Sequence, residues 1–85
     1  MTAAFVLDHR LEQSSFFIAD WELCRVALKT DKTWPWLYLV PRRAGIREIC
    51  DLVATDQVKL IEEIALASRA LRETYQPDKI NVAAL

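Results

Sequence analysis

The feature that most constrains the fold is an apolar periodicity in the last third of the chain. Apolar side chains recur there at spacings of four, three, four and four residues: Leu60, Ile64, Ala67, Leu71 and Tyr75. This spacing is typical of one face of an α-helix. It predicts a helix over residues 56–76. Thr55 is the expected N-cap, Asp56 complements the positive end of the helix dipole, and Pro77 prevents continuation.

The predicted helix is more apolar than a single buried face requires. Four further apolar residues widen the stripe: Val58, Ile61, Ala65 and Leu66. A helix that packs on one side only does not need them. We therefore expect a second contact, most simply with the same helix of a second copy of the chain. The adjacent carboxylates Glu62 and Glu63 are expected on the solvated face.

Two strands precede the helix in the sequence. Between residues 21 and 29, Cys24, Val26 and Leu28 alternate with residues of the opposite face, which predicts a half-buried strand. Residues 36–40 are apolar on both faces and predict a central strand that ends at Pro41. Residues 30–35 read as the hairpin connection between the two strands. Residues 5–7 and the segment from Ile80 onwards predict further short strands, and residues 46–52 a short helix or turn.

Composition narrows the class of protein. The chain has 85 residues, of which 53% are hydrophobic and 27% charged, as expected for one soluble globular domain of marginal core size. A formal net charge of -1 does not favour nucleic acid as a partner. The sequence has no signal peptide and no apolar run long enough for a membrane span, so we expect a cytoplasmic protein.

No metal or cofactor is expected. His9 is the only histidine, and Cys24 and Cys50 stand far apart in the sequence, so no ligand cluster forms. Both cysteines are expected to be reduced thiols packed as small apolar side chains.

The sequence resembles a known family. The similarity lies in "LCRVALKTDKTWPWLYLVPRRAGIREICDL" (residues 23–52), in the long helix, and in "DKINVAAL" (residues 78–85). On these segments the chain resembles the histidine triad (HIT) superfamily, specifically its bacterial HIT-like branch. The resemblance implies an α+β fold, in which an antiparallel sheet carries the long helix. It also implies dimerisation through the helix and the sheet, and binding of a purine nucleotide or a related small molecule.

The resemblance implies a chemistry as well. Members of the family hydrolyse nucleotides or transfer nucleotidyl groups through a histidine that attacks the α-phosphorus. Their triad follows the strand that begins here at Ile80, and Leu85 precedes that position. We therefore expect residues 1–85 to form a single HIT-like domain that lacks the C-terminal triad strand. Since His9 matches no triad position, these residues alone are expected to be inactive. A non-catalytic nucleotide-binding module or a dimeric interaction module remains the alternative.

Three residues are candidates for nucleotide binding through this resemblance. Asp31, in the turn, matches a carboxylate that accepts hydrogen bonds from ribose hydroxyls; otherwise it caps its own backbone. Trp34 is a candidate wall for the base, and packing in the core or at a dimer interface is its alternative. Asn81 matches an amide near the phosphates, or else faces solvent.

Other residues have weaker claims. Trp36 is expected in the core. Four more side chains are candidates for the pocket wall by position, although the core is the better expectation for each: Phe16, Phe17, Leu28 and Leu39. Arg42 and Arg43 could bind phosphate, but a solvated pair that ends a strand is the more common outcome.

Overall fold

The computed structural model describes residues 15–29 and 35–84. Three strands come first: β1 (Phe16–Asp20), β2 (Cys24–Lys29) and β3 (Trp36–Pro41). A short 3₁₀ helix (Ile49–Asp51) and one long α-helix, α1 (Ala54–Tyr75), follow. The strands form an antiparallel sheet. The predicted α+β class, an antiparallel sheet with one long helix, is therefore confirmed.

The central strand of the described sheet is β2. It pairs with β1 from Phe16↔Leu28 to Asp20↔Arg25, and with β3 from Cys24↔Pro41 to Lys29↔Trp36. Among the strands that the structure describes, β3 pairs only with β2, so the prediction that residues 36–40 form the central strand is wrong for this three-stranded sheet. That prediction was based on β3 being apolar on both faces. One of these faces is directed towards α1, and the other is partly exposed.

Strand β1 was not predicted from the sequence. Its pairing with β2 shifts register between Phe17 and Ala19, which leaves Ile18 as an extra residue in a bulge. The bulge breaks the period-2 alternation from which a strand is recognised. Phe16, Phe17 and Ile18 are all exposed, so burial does not reveal this edge strand either.

The core lies between α1 and one face of the sheet. Leu23, Cys24, Leu52 and Leu60 form its buried centre, and Leu39, Ile46 and Ile64 pack against them. Alternation along β2 places Cys24, Val26 and Leu28 on this side. Pairing adds the β3 residues opposite them. The other face of the sheet carries no described helix.

Helix α1 begins two residues before the predicted start. Its N-cap is Val53, which has extended backbone angles and makes no side-chain capping bond. The prediction of Thr55 as N-cap is therefore wrong, because that residue lies inside the helix. Asp56 is in the first turn, as expected. At the other end Gln76 adopts a left-handed conformation with φ of 50°, and its N–H bonds to the carbonyl of Arg72.

Of the predictions for the shorter segments, one is confirmed and one is wrong. The short helix expected within residues 46–52 is confirmed by the 3₁₀ turn. The strand expected from Ile80 is not observed in the described residues, and residues 79–84 form no regular element. A strand needs a neighbouring strand to take its backbone hydrogen bonds. The strand predicted over residues 5–7 lies outside the described residues.

The two cysteines occupy different environments. Both are free thiols, as expected, and Cys24 is fully buried. Cys50 is exposed in the 3₁₀ turn, so the expectation that it packs in the core is wrong. In the described part of the chain, no helix is both long enough and apolar enough to cross a membrane.

Candidate functional site

The candidate site begins where the β2–β3 hairpin turns. The last residue pair between β2 and β3 is Lys29↔Trp36, and Asp31 and Trp34 belong to the residues that connect the two strands in the sequence. Those two residues lie outside the described residues, so their roles in binding ribose and base stay predictions. The structure does define the end of the sheet to which these connecting residues are joined, at Lys29 and Trp36.

This end of the sheet is aromatic. Phe16 pairs with Leu28 and Phe17 pairs with Ala27, which stand one and two residues before β2 ends at Lys29. Phe17 is 64% exposed and Trp36 is 44% exposed. The prediction of Trp36 as a core residue is wrong. Its side chain alternates onto the sheet face that α1 does not cover.

The two aliphatic candidates behave differently from the aromatic ones. Leu28 and Leu39 are both half-buried, and alternation places both on the helix side of the sheet. Leu39 packs against the core cluster, as favoured for it. The aromatic residues at the sheet end are therefore better placed than these leucines to contact a ligand.

A charged group accompanies the aromatic residues. The guanidinium of Arg25 lies 5.6 Å from the ring centroid of Phe17, within the range of a cation–π contact. The same side chain donates hydrogen bonds of 2.8 and 3.1 Å to the two carboxylate oxygens of Asp20. These bonds hold the pKa of Asp20 below its usual value. The sheet face that α1 does not cover therefore carries the exposed rings of Phe17 and Trp36 together with the Arg25–Asp20 ion pair.

Arg42 and Arg43 lie at the opposite end of β3, and both are engaged within the chain. Arg42 Nη2 donates to the carbonyl oxygens of Trp21 and Glu22. Arg43 Nε donates to Asp56 Oδ2 at 2.8 Å. These contacts support the reading in which the pair ends a strand, because each guanidinium already has a protein acceptor.

Glu63 has a buried role that its sequence pattern did not predict. This side chain is only 5% exposed, and it accepts backbone hydrogen bonds from Leu23 N (2.9 Å) and Cys24 N (2.8 Å). The expectation of a solvated Glu63 is therefore wrong. A signal was present, because Glu63 stands three residues after Leu60 and four before Ala67, both of which are buried.

The remaining candidate is Asn81. It is exposed and lies in the irregular segment after α1, and its role near the phosphates stays a prediction. Across residues 15–29 and 35–84, no three His, Cys, Asp or Glu side chains come close enough together to hold a metal ion.

The family model described as "HIT domain" matches residues 10–85. A crystal structure of a histidine triad protein from Bradyrhizobium japonicum is 43% identical, with a TM-score of 0.94 over 98% of this chain. A histidine triad protein from Sinorhizobium meliloti 1021 is 42% identical, with a TM-score of 0.91 over 95% of this chain.

A third histidine triad protein, from Marinobacter aquaeolei VT8, is 42% identical, with a TM-score of 0.92 over 98% of this chain. The match covers 62%, 60% and 61% of the three solved chains, in the order given, so this chain spans about three fifths of their length. No curated protein matches the chain.

Proposed function

The chain belongs to the HIT domain family, and from this membership we propose that it forms the nucleoside-binding part of a nucleotide-binding protein. The observation that carries the proposal is the extent of the family match. It runs over residues 10–85 and so includes Asp31, Trp34 and Asn81. The sheet supports it, because the exposed rings of Phe17 in β1 and Trp36 in β3 lie at the end of the sheet where the chain between Lys29 and Trp36 connects β2 to β3.

Each of the three residues has a proposed role. The Asp31 carboxylate accepts hydrogen bonds from two ribose hydroxyls, since an ionised carboxylate has several lone pairs to offer. Trp34 supplies a face against which a purine packs. Asn81 donates its amide N–H to a phosphate oxygen. The proposed ligand is a purine nucleotide or a related small molecule.

The whole protein is proposed to be a nucleotide hydrolase or nucleotidyl transferase. A histidine nitrogen attacks the α-phosphorus, the bond to the leaving oxygen breaks, and that oxygen keeps the electron pair. Water or another acceptor then attacks the same phosphorus, and the phosphorus–nitrogen bond breaks to regenerate the histidine. We assign the nucleophile to the part of the relatives' length that these residues do not span. Residues 1–85 alone, one HIT-like domain without the triad strand, are expected to be inactive.

The test is calorimetric titration of adenosine monophosphate into the full-length protein and its Asp31→Asn variant. We expect at least a tenfold loss of affinity, because hydrogen bonds to a charged acceptor contribute roughly 1.5–3 kcal/mol. The nucleotide lacking the 2′-hydroxyl should bind more weakly than the ribonucleotide to the parent protein, and this difference should shrink in Asp31→Asn.

The matched control is Glu73→Gln. It also removes one carboxylate charge, but from an exposed position on α1, and it should leave the affinity unchanged. Equal affinities of the parent and Asp31→Asn for both nucleotides would show that Asp31 does not bind the ribose.

A second candidate function rests on the outer surface of α1. Val58 and Ile61 are strongly exposed, with Ile61 at 62%, and Ala65 lies on the same side of the helix. We propose that the protein is a homodimer through α1 and the sheet, and that it acts in the cytoplasm without nucleic acid. If the titrations detect no nucleotide affinity, a dimeric interaction module is the function that remains.

A further inference from the structure

Helix α1 carries two apolar stripes that could each pack on a sheet. The core stripe consists of Leu60, Ile64, Ala67 and Leu71, and it faces the sheet. The outer stripe consists of Val58, Ile61 and Ala65, and it is exposed. At 3.6 residues per turn the two stripes lie roughly a third of a turn apart around the helix. Hydrophobic burial is not directional, so apolar contact alone does not decide which stripe is buried.

A buried carboxylate distinguishes the two stripes. Glu63 lies at the margin of the core stripe, and it is the one charged side chain that is buried in the described part of the chain. Its two oxygens each accept one backbone N–H, from Leu23 and from Cys24. Turning the outer stripe towards the sheet would carry Glu63 to the solvent side. Both N–H groups belong to fully buried residues and would then be unpaired, which is strongly unfavourable.

The two N–H donors belong to a turn that has backbone hydrogen bonds of its own, besides its contacts with α1. The Trp21 N–H bonds to the Cys24 carbonyl at 2.8 Å, and the Arg42 N–H bonds to the Leu23 carbonyl at 2.8 Å. Arg42 also donates its side chain to the carbonyls of Trp21 and Glu22. Because the donors are held in place by the sheet, only one rotation of α1 about its axis brings the Glu63 carboxylate onto both of them.

From this geometry we infer that Glu63 is a positioning residue that selects which face of α1 packs on the sheet. The core stripe supplies the burial, and the carboxylate supplies the direction that apolar contacts lack. The inference concerns the fold and does not rest on the proposed nucleotide site or on the proposed dimer. By fixing this face of α1 on the sheet, Glu63 also keeps the outer stripe at the surface.

The two thiols of the chain provide a direct test. Cys24 is buried against the core, whereas Cys50 is exposed, so a thiol reagent labels them at very different rates. The rates are measured on the folded full-length protein by mass spectrometry of the two cysteine-containing peptides. In Glu63→Leu the core stripe stays apolar and the directional bonds are lost. Exchange between two packings of α1 should then uncover Cys24.

We expect the Cys24 labelling rate in Glu63→Leu to rise at least tenfold more than the unfolding equilibrium constant, which is measured by urea denaturation. Backbone amide NMR signals of β2 should be doubled or broadened by the two packings. Glu63→Gln keeps one acceptor oxygen and should give an intermediate labelling rate. Glu62→Leu alters an exposed neighbour and should label as the parent does.

Other outcomes would overturn the inference. If Cys24 labelling in Glu63→Leu rises only in proportion to the unfolding constant, Glu63 merely stabilises the fold. If Glu63→Leu does not fold, Glu63→Gln provides the same comparison. A folded Glu63→Gln with single β2 signals and labelling explained by its stability would also exclude a selecting role.

Discussion

Cys24 lies in an environment that disfavours the ionised form of its thiol. It is fully buried at the start of β2, next to the Glu63 carboxylate that accepts its backbone N–H. Burial, and after it the hydrogen bond and negative charge of Glu63, raise the pKa of Cys24 to about 12. A thiolate is the nucleophilic form of cysteine, so this residue is inert in the folded protein.

The raised pKa predicts a loss of stability in alkali. An ordinary thiol, with a pKa near 9.0, ionises in the unfolded chain, whereas Cys24 in the folded chain keeps its proton to about pH 12. Between these pH values the unfolded state binds fewer protons, so stability falls as pH rises. One such group contributes at most about 1.4 kcal/mol per pH unit. The measurement is the free energy of unfolding by urea at pH 8, 9, 10 and 11.

The contribution of Cys24 is isolated by comparing slopes. Cys24→Ala should lose less stability per pH unit above pH 9 than the parent does. Cys50→Ala, which removes the exposed thiol, should keep the slope of the parent. A Cys24→Ala variant with the same alkaline slope as the parent would show that the thiol is not what couples stability to pH.

Single residues were the least predictable part of the molecule. Glu63 looked solvated because it stands beside Glu62, yet its partners are N–H groups 40 and 39 positions earlier in the chain. Trp36 looked like a core residue because tryptophan is usually buried. Both outcomes depend on which face of the sheet receives α1. That is a tertiary fact that local patterns do not contain.

At the scale of elements, the start of α1 offers a clear prediction. The N-cap Val53 has the extended backbone of a capping residue but no side-chain acceptor for the first helical N–H groups. Val53→Ser should therefore stabilise the protein by roughly 0.5–1 kcal/mol. The Val53 side chain is exposed, so little apolar burial is lost. Chemical denaturation of the parent and the variant measures the gain.

The control for Val53→Ser is a substitution at Thr55, the residue that the sequence predicted as the N-cap. Thr55→Ser exchanges one hydroxyl residue for another inside the first turn of α1 and should change stability by less than about 0.5 kcal/mol. No gain from Val53→Ser would show that water or another backbone group already satisfies the helix N-terminus.

Elements with strong periodicity were predictable, and elements without it were not. The stripe from Leu60 to Tyr75 predicted α1 to within two residues at its start. The alternation around Val26 predicted β2. The bulge at Ile18 hid β1 by breaking the alternation. For the candidate site, the family resemblance supplied the roles of Asp31, Trp34 and Asn81, because a turn residue has no period from which to infer its chemistry.

At the scale of the whole molecule, the fold leaves two surfaces uncovered in the described part of the chain. One is the aromatic end of the sheet around Phe17 and Trp36, where the described pairing of β2 and β3 ends at Lys29↔Trp36. The other is the outer stripe of α1. The two surfaces are on different sides of the sheet, because α1 packs on the face opposite Trp36. Ligand binding and self-association can therefore be tested separately.

The last prediction concerns the outer stripe. If the protein dimerises through α1, Ile61→Glu buries an unpaired charge at the interface and should weaken association by at least about 100-fold, equivalent to about 2.7 kcal/mol. Sedimentation analysis over a range of protein concentrations measures the dissociation constant. Ala70→Glu places the same charge at an exposed position outside the stripe and should leave the dimer intact. Equal dissociation constants for the parent and Ile61→Glu would remove the outer stripe from the interface, and a parent protein that is monomeric at every concentration would disprove the dimer itself.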